Sequence, residues 1–148
     1  MRSLSFFAAM FFAISSLALA QADTPVDATI TVDNVGATAY MLVDAAGESV
    51  GEVGAENAAW TLQVGHRYRV VNKGELLYHP FELRGDTDIL LAQGDSEGTF
   101  EGDKEVNFVS DNEGVRFTLT PELAELLTNY RCGYHPVMTG SISVDGAS

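Results

Sequence analysis

The stretch "YRCGYHPVMTG", Tyr130 to Gly140, decides how this chain is interpreted. It holds the only cysteine, Cys132, followed at intervals of three residues by His135 and Met138. With one Cys, three His and four Met in 148 residues, finding one of each within seven positions is hard to attribute to chance. Thiol, imidazole and thioether groups all bind transition metals. The stretch therefore predicts a metal site.

The particular donors favour copper. A thiolate and two imidazoles in a trigonal plane, with a long and weak thioether contact, form a blue-copper electron-transfer site. The thiolate bonds covalently to Cu(II), and the soft sulfur atoms suit Cu(I). Because one geometry serves both oxidation states, little has to move when an electron is exchanged. Three such ligands lie in this stretch, so the second imidazole must come from elsewhere.

Two other histidines are candidates for that imidazole. His66 follows Gly65 at the start of a strand-like segment, which is typical of a turn residue. His79 lies in "LLYHPFEL", where apolar neighbours would shield a metal. The sequence therefore favours His79, although a histidine packed in the core would give the same pattern.

The first residues predict export. Residues 1–20 contain Arg2, an apolar run and the small-residue sequence Ala18-Leu19-Ala20, which is the pattern of a cleaved signal peptide. An uncleaved anchor is the alternative. We expect residues 21–27 to be a short flexible lead-in and residues 28–148 to form one domain. Periplasmic and extracellular locations both fit this prediction.

The chain is strongly acidic. Its formal net charge is −13, and removing residues 1–20 takes away one basic and no acidic residue, which leaves −14. Such a surface repels nucleic acids and anionic membranes. It would attract a basic partner, or it would only keep the protein soluble in a salty habitat, and the sequence leaves both open. A lone Cys132 excludes an internal disulfide and is typical of a thiol that is reactive, buried or metal-bound.

Short apolar segments separated by Gly, Asn and Asp predict an all-β sandwich or barrel of about eight strands. One short helix is expected before the cysteine stretch, with Thr120 as its cap, Pro121 in its first turn and its end near Asn129. The expected strands are 28–32, 38–44, 59–64, 67–72, 79–85, 105–109, 115–120 and 140–144.

Two segments resemble the cupredoxins, the family of plastocyanin and amicyanin. "YRCGYHPVMTGSISV" is similar to their final copper loop and last strand, and "RVVNKGELLYHPFEL" is similar to the segment that carries their first histidine ligand. The acidic, exported composition also resembles halocyanin-like proteins. The resemblance covers residues 67–84 and 130–144, and elsewhere only the many short strands agree.

The resemblance implies a Greek-key sandwich with one type 1 copper ion bound by His79, Cys132, His135 and Met138. In the family, electrons pass through an apolar patch around the second histidine. The residues that would surround His135 are Gly133, Tyr134, Pro136 and Val137.

Two features depart from the simplest members. The segment 85–128 is long and includes a Gly/Asp/Glu-rich stretch, 94–104, which would form a flap of unassigned role. A proline follows each histidine ligand, at Pro80 and Pro136. Proline has no N–H to donate to the thiolate. Because such hydrogen bonds raise the reduction potential, we expect a low potential for this class.

The leading functional hypothesis is an exported, monomeric carrier of single electrons between redox proteins. A basic cytochrome or an oxidase domain would be a suitable partner. A full coordination shell leaves no open position for a substrate, which argues against an enzyme. The alternatives are a copper storage or delivery protein with the same ligands, a thiol enzyme with a Cys–His pair, and a related fold that has lost its metal. Few methionines and no evident orienting carboxylate weaken the first two alternatives.

Overall fold

The computed structural model describes residues 24–146. Within this range the chain forms ten strands and one helix. In chain order they are β1 (Ala28–Val35), β2 (Ala39–Ala46), β3 (Trp60–Gln63), β4 (Arg67–Asn72), β5 (Phe81–Arg84), β6 (Ile89–Ala92), β7 (Val109–Asp111), β8 (Gly114–Thr118), α1 (Pro121–Leu126), β9 (Asn129–Cys132) and β10 (Thr139–Asp145).

The strands form two mixed sheets of five strands each. One sheet has the order β2-β1-β4-β8-β7, and the other has the order β3-β10-β9-β5-β6. The β1–β4 and β10–β3 pairs are parallel, and the other pairs are antiparallel. The described strands make two separate sheets rather than a closed barrel, so of the two predicted architectures the sandwich is the one that agrees.

Alternation of side chains explains why these segments are strands. In β1, Ala28, Ile30 and Val32 are buried while the residues between them are partly exposed. In β9, Tyr130 and Cys132 are buried and Arg131 is not. A period of two places one face of each strand in a shared core. Both sheets contribute to that core.

An aromatic cluster fills the core beside β5 and β9. The ring of Trp60 stacks on Tyr130, with centroids 4.1 Å apart, and Phe81 stacks on both. Tyr40 packs at an angle against Phe81 and Tyr130. All four side chains are fully buried. Since Cys132 pairs with Phe81 across the β5–β9 ladder, this aromatic cluster lies next to the cysteine stretch.

The predicted helix is present. Thr120 caps it by accepting a hydrogen bond from the N–H of Leu123, and Pro121 occupies its first turn. The helix ends at Leu126 rather than near Asn129, because residues 129–132 pair with β5 and β10 as strand β9.

One strand prediction is wrong, and two strands were missed. Residues 105–109 are mostly turn: the Asp103 carboxylate accepts the N–H of Glu105, and Asn107 has a φ of +48°. Strands β6 and β9 were not predicted, and β7 overlaps the predicted segment only at Val109. The total is therefore ten strands, not eight.

The proposed signal peptide, residues 1–20, lies outside the described residues. Of the lead-in, Asp27 is fixed to β4, because its backbone N–H donates to Arg67 and its carboxylate accepts the Arg67 N–H, at 2.8 Å each. Within residues 24–146, no helix is long and apolar enough to cross a membrane.

The Thr120 cap generates a stability prediction. Replacing Thr120 with Ala removes the acceptor for a buried helix N–H, and we expect unfolding by urea to show a loss of about 1 kcal/mol. Thr120→Ser keeps the hydroxyl and serves as the control. Equal losses in the two variants would show that the methyl group of Thr120, rather than its cap bond, stabilises this region.

Candidate metal centre

Cys132 is held at the end of β9, between two neighbouring strands. It pairs with Phe81 of β5, and its N–H donates to the carbonyl of Met138 at 3.0 Å. The side chain is completely buried. A buried thiol at the end of a central strand has little freedom to move.

The residues between Cys132 and Met138 form a tight loop. The N–H of Met138 donates to the carbonyl of His135 at 3.0 Å, which closes a turn. Met138 is fully buried, whereas Tyr134 and Val137 are each more than 60% exposed. The loop therefore buries the Met138 side chain and exposes the side chains of Tyr134 and Val137.

His79 lies just before β5 and is anchored by a separate turn. Its N–H donates to the carbonyl of Glu75 at 2.8 Å, and Glu75 has a φ of +66°, which lets the chain reverse there. His79 is 8% exposed. The β5–β9 pairing places it next to Cys132, although the two residues are 53 positions apart.

Three potential ligands converge in this way. The Cys132 Sγ lies 3.8 Å from His79 Nδ1 and 3.5 Å from His135 Nδ1. Within the described range these three residues form a group with all ligand atoms inside 4.8 Å, able to hold a metal ion. With a metal–sulfur bond of about 2.3 Å, metal–nitrogen bonds of about 2.0–2.1 Å and angles of about 110–120°, ligand atoms should be about 3.5–3.8 Å apart. The two sulfur–nitrogen distances fit a shared ion.

Electrostatics favours the neutral, metal-binding form of His79. Burial lowers the pKa of its imidazole, and the positive charge of a protonated His135 lowers it further. A neutral imidazole has a free nitrogen lone pair, which a metal requires. The lowered pKa therefore favours the form of His79 that is able to bind a metal.

A buried polar network fixes the main chain of His79. Its carbonyl accepts one hydrogen bond from the Tyr40 hydroxyl and one from the Asn72 amide, each at 2.6 Å. Gln93 Oε1 in turn accepts from Asn72 at 2.9 Å and from the N–H of Phe81 at 3.2 Å. Both sides of Pro80 are therefore held, so the imidazole is oriented by its own backbone.

The buried carboxylate of Glu82 lies against the start of the cysteine loop. Glu82 bonds Arg84 at 2.7 Å and lies 3.7 Å from Arg131. Its other oxygen would be 2.8 Å from a Cβ on Gly133, so any larger residue there would displace the Glu82 carboxylate. Gly133 also donates its N–H to the carbonyl of Pro80 at 2.8 Å. These contacts tie the start of the loop to the segment that carries His79.

The outcome for the candidate residues is clear for the histidines. The structure brings together His79, Cys132 and His135, whereas His66 lies apart and pairs with Glu48. Sequence reasoning missed Tyr40, Gln93 and Glu82, because their roles depend on strand register. For Asn72, the sequence predicted only the end of the strand 67–72.

Geometry defines the class of site: a His–Cys–His group, two members buried and His135 partly buried, that is able to hold a metal ion beside the end of β9 and the start of β5. No protein-family model matches this chain, and neither a curated protein nor a solved structure matches it.

The Glu82 cluster generates a prediction. Glu82→Ala leaves two arginines without their shared carboxylate, and we expect a loss of about 2–3 kcal/mol in urea unfolding. This loss of stability is no larger than the smallest losses usual when a buried ion pair is broken, because both arginine side chains are partly exposed to solvent. Glu113→Ala breaks the exposed pair with Arg69 and should cost less than about 1 kcal/mol. Equal losses would mean that Glu82 adds nothing beyond an ordinary surface pair.

Proposed function

We propose that this protein is a cupredoxin that carries single electrons through a type 1 copper site. The proposal depends mainly on one observation: two imidazole nitrogens lie 3.8 and 3.5 Å from a buried cysteine sulfur, at the spacing of ligands to a common ion. His79, Cys132 and His135 would supply the trigonal plane.

The donor set supports copper among the transition metals. One thiolate and two imidazoles suit both oxidation states of copper, and a thioether is the usual weak fourth donor. Met138 is the candidate for that fourth position. It is fully buried, and its main chain is bonded to both loop ligands, His135 and Cys132. Bound copper would supply the redox chemistry, and the protein would hold the ligands and exclude water.

The strand order supports the Greek-key form of the sandwich. Strand β4 lies between β1 and β8, and β9 lies between β10 and β5, so several neighbours in each sheet are distant in the chain. Connections that cross from one sheet to the other are typical of Greek-key sandwiches.

The surface beside the site supports electron exchange with another protein. Tyr134 and Val137 flank His135 in sequence, and Leu77 and Tyr78 precede His79; all four are more than 60% exposed. A protein with a matching apolar area could approach both histidines. The net charge, −13 for the full chain and −14 without residues 1–20, favours a basic redox partner, and a monomer would be free to dock briefly. Export follows from the proposed signal at residues 1–20.

The first test is a visible spectrum of the purified protein after adding one equivalent of Cu(II). We expect an intense thiolate-to-copper band that is bleached by mild reductant and restored by oxidant. Cys132→Ser should abolish the band while leaving the far-UV circular dichroism unchanged, because the hydroxyl replaces sulfur at nearly the same size.

The same measurement separates the alternatives. A protein that stays nearly colourless with Cu(II) yet binds Cu(I) tightly would favour storage or delivery and would contradict the carrier. Loss of the metal during repeated redox cycles would do the same.

A second prediction concerns the proline after His135. Pro136 is exposed, so Pro136→Ala should be tolerated. The new backbone N–H is able to donate towards the thiolate, and we expect the reduction potential to rise. Cyclic voltammetry of the copper-loaded variant and wild type measures this. A fall or an unchanged potential would show that Pro136 does not keep the potential low.

A further inference from the structure

Asn57, in the connection between β2 and β3, has an unusual backbone conformation. Its φ is +48°, in the left-handed region that asparagine tolerates better than most residues. The Asn57 N–H donates to the Tyr40 carbonyl at 2.7 Å, and the Tyr40 N–H donates to Asn57 Oδ1 at 3.1 Å. Because Tyr40 belongs to β2, the edge strand of its sheet, Asn57 is fixed to that edge at two points.

The nitrogen of the same side-chain amide bonds the cysteine loop. Asn57 Nδ2 donates to the Val137 carbonyl at 3.3 Å. Val137 lies between the candidate ligands His135 and Met138, and its carbonyl also accepts the N–H of Thr139 at 3.0 Å. The Asn57 side chain therefore joins β2 to the part of the loop that carries two candidate ligands.

The next residue, Ala58, contacts the two strands that flank the loop. Its carbonyl accepts the Tyr130 hydroxyl at 2.7 Å, and Tyr130 lies in β9 two residues before Cys132. On the other flank, a Cβ on Gly140 of β10 would lie 2.6 Å from the same carbonyl oxygen. Ala58 thus packs closely against both β9 and β10, and Asn57 bonds the loop between them.

Tyr40 connects this contact with the remaining histidine. Its hydroxyl donates to the His79 carbonyl at 2.6 Å, while its main chain bonds Asn57. His79 is therefore bonded to β2 through the Tyr40 hydroxyl, and the cysteine loop is bonded to β2 through Asn57. Strand β2 is thus a support common to both ligand-carrying segments, in addition to the β5–β9 ladder.

We propose that Asn57 is a positioning residue that holds residues 135–138 in their metal-binding arrangement before an ion arrives. This inference rests on the metal centre of the proposed function, but not on the ion being copper. Ligands that are already in place lose less conformational freedom on binding, so the affinity for the ion is higher. Without the Asn57 bond, the Val137 carbonyl keeps the Thr139 N–H, so the loop loosens while the fold remains.

The experiment compares Asn57→Gly with Asn107→Gly. Both asparagines have a φ of +48°, which glycine adopts readily, so each substitution removes only a side chain. Asn107 lies far from the site. Its carbonyl accepts Arg67 Nη1 at the start of β4, whereas Asn72 at the end of β4 bonds His79. A strand of this length spans roughly 16 Å.

The first readout is the affinity for Zn(II), measured by competition with a chromophoric chelator. Zn(II) binds thiolate and imidazole and has no geometric preference of its own, so it reports how well the ligands are placed. We expect Asn57→Gly to bind Zn(II) about threefold more weakly than wild type. This is less than the roughly tenfold or greater loss usual for groups that hold metal ligands, because the Asn57–Val137 bond is long and exposed. Asn107→Gly should bind Zn(II) as tightly as wild type.

The second readout uses the metal-free protein. The Met138 N–H donates to the His135 carbonyl at 3.0 Å, so its hydrogen exchange reports opening of the loop. This exchange should become faster in Asn57→Gly and stay unchanged in Asn107→Gly. Urea unfolding of both variants measures their global stability, which separates a local opening of the loop from a general loss of stability.

The remaining outcomes contradict one proposal or the other. Unchanged Zn(II) affinity or unchanged Met138 exchange in Asn57→Gly would overturn this inference and leave the proposed function standing. Equal losses in the two glycine variants would assign the effect to general destabilisation and would also overturn it. A wild type that binds Zn(II) but gives no thiolate-to-copper band would overturn the proposed carrier alone. A wild type that binds neither metal would overturn both.

Discussion

The pairing of β5 with β9 is the interaction on which the site depends. It aligns Phe81 with Cys132 and so brings His79, one residue before Pro80, beside a thiol 53 positions later. The Gly133 N–H extends this ladder by one more bond to Pro80. Because a shift of one residue would turn Cys132 to the opposite face of the sheet, the register itself determines whether the ligands meet.

Several independent contacts hold that register. On one face, Phe81 and Tyr130 stack with Trp60 in the core. On the other, Glu82 is paired in the ladder with Arg131 and also bonds Arg84. Rigid ligands cost less entropy to order when a metal binds and reorganise little when its charge changes. The same packing that stabilises the fold would therefore suit the electron-transfer site that we propose.

Apart from the choice of His79 over His66, the sequence predicted local features well and long-range ones poorly. The spacing of Cys132 and His135 lies within one loop, and the Thr120 cap lies within one turn, so both are visible in short windows. By contrast, Glu82, Tyr40 and Gln93 acquire their roles only when distant strands come together. The prediction of a strand at 105–109 was wrong because Asp103 and the buried Arg67 bind backbone groups that a strand would need.

The role of the acidic stretch 94–104 also could not be predicted from the sequence. In the structure this stretch supports the edge of a sheet. The N–H groups of Thr99 and Phe100 donate to Ile89 and Leu90 of β6, and Glu101 accepts the N–H of Ala92. The stretch thus covers the free edge of β6. An uncovered sheet edge would leave backbone N–H and C=O groups unpaired. Holding β6 in place also fixes Gln93, the next residue along the chain, and Gln93 binds both Asn72 and Phe81. The segment expected to be a flap is therefore part of the scaffold that orients His79.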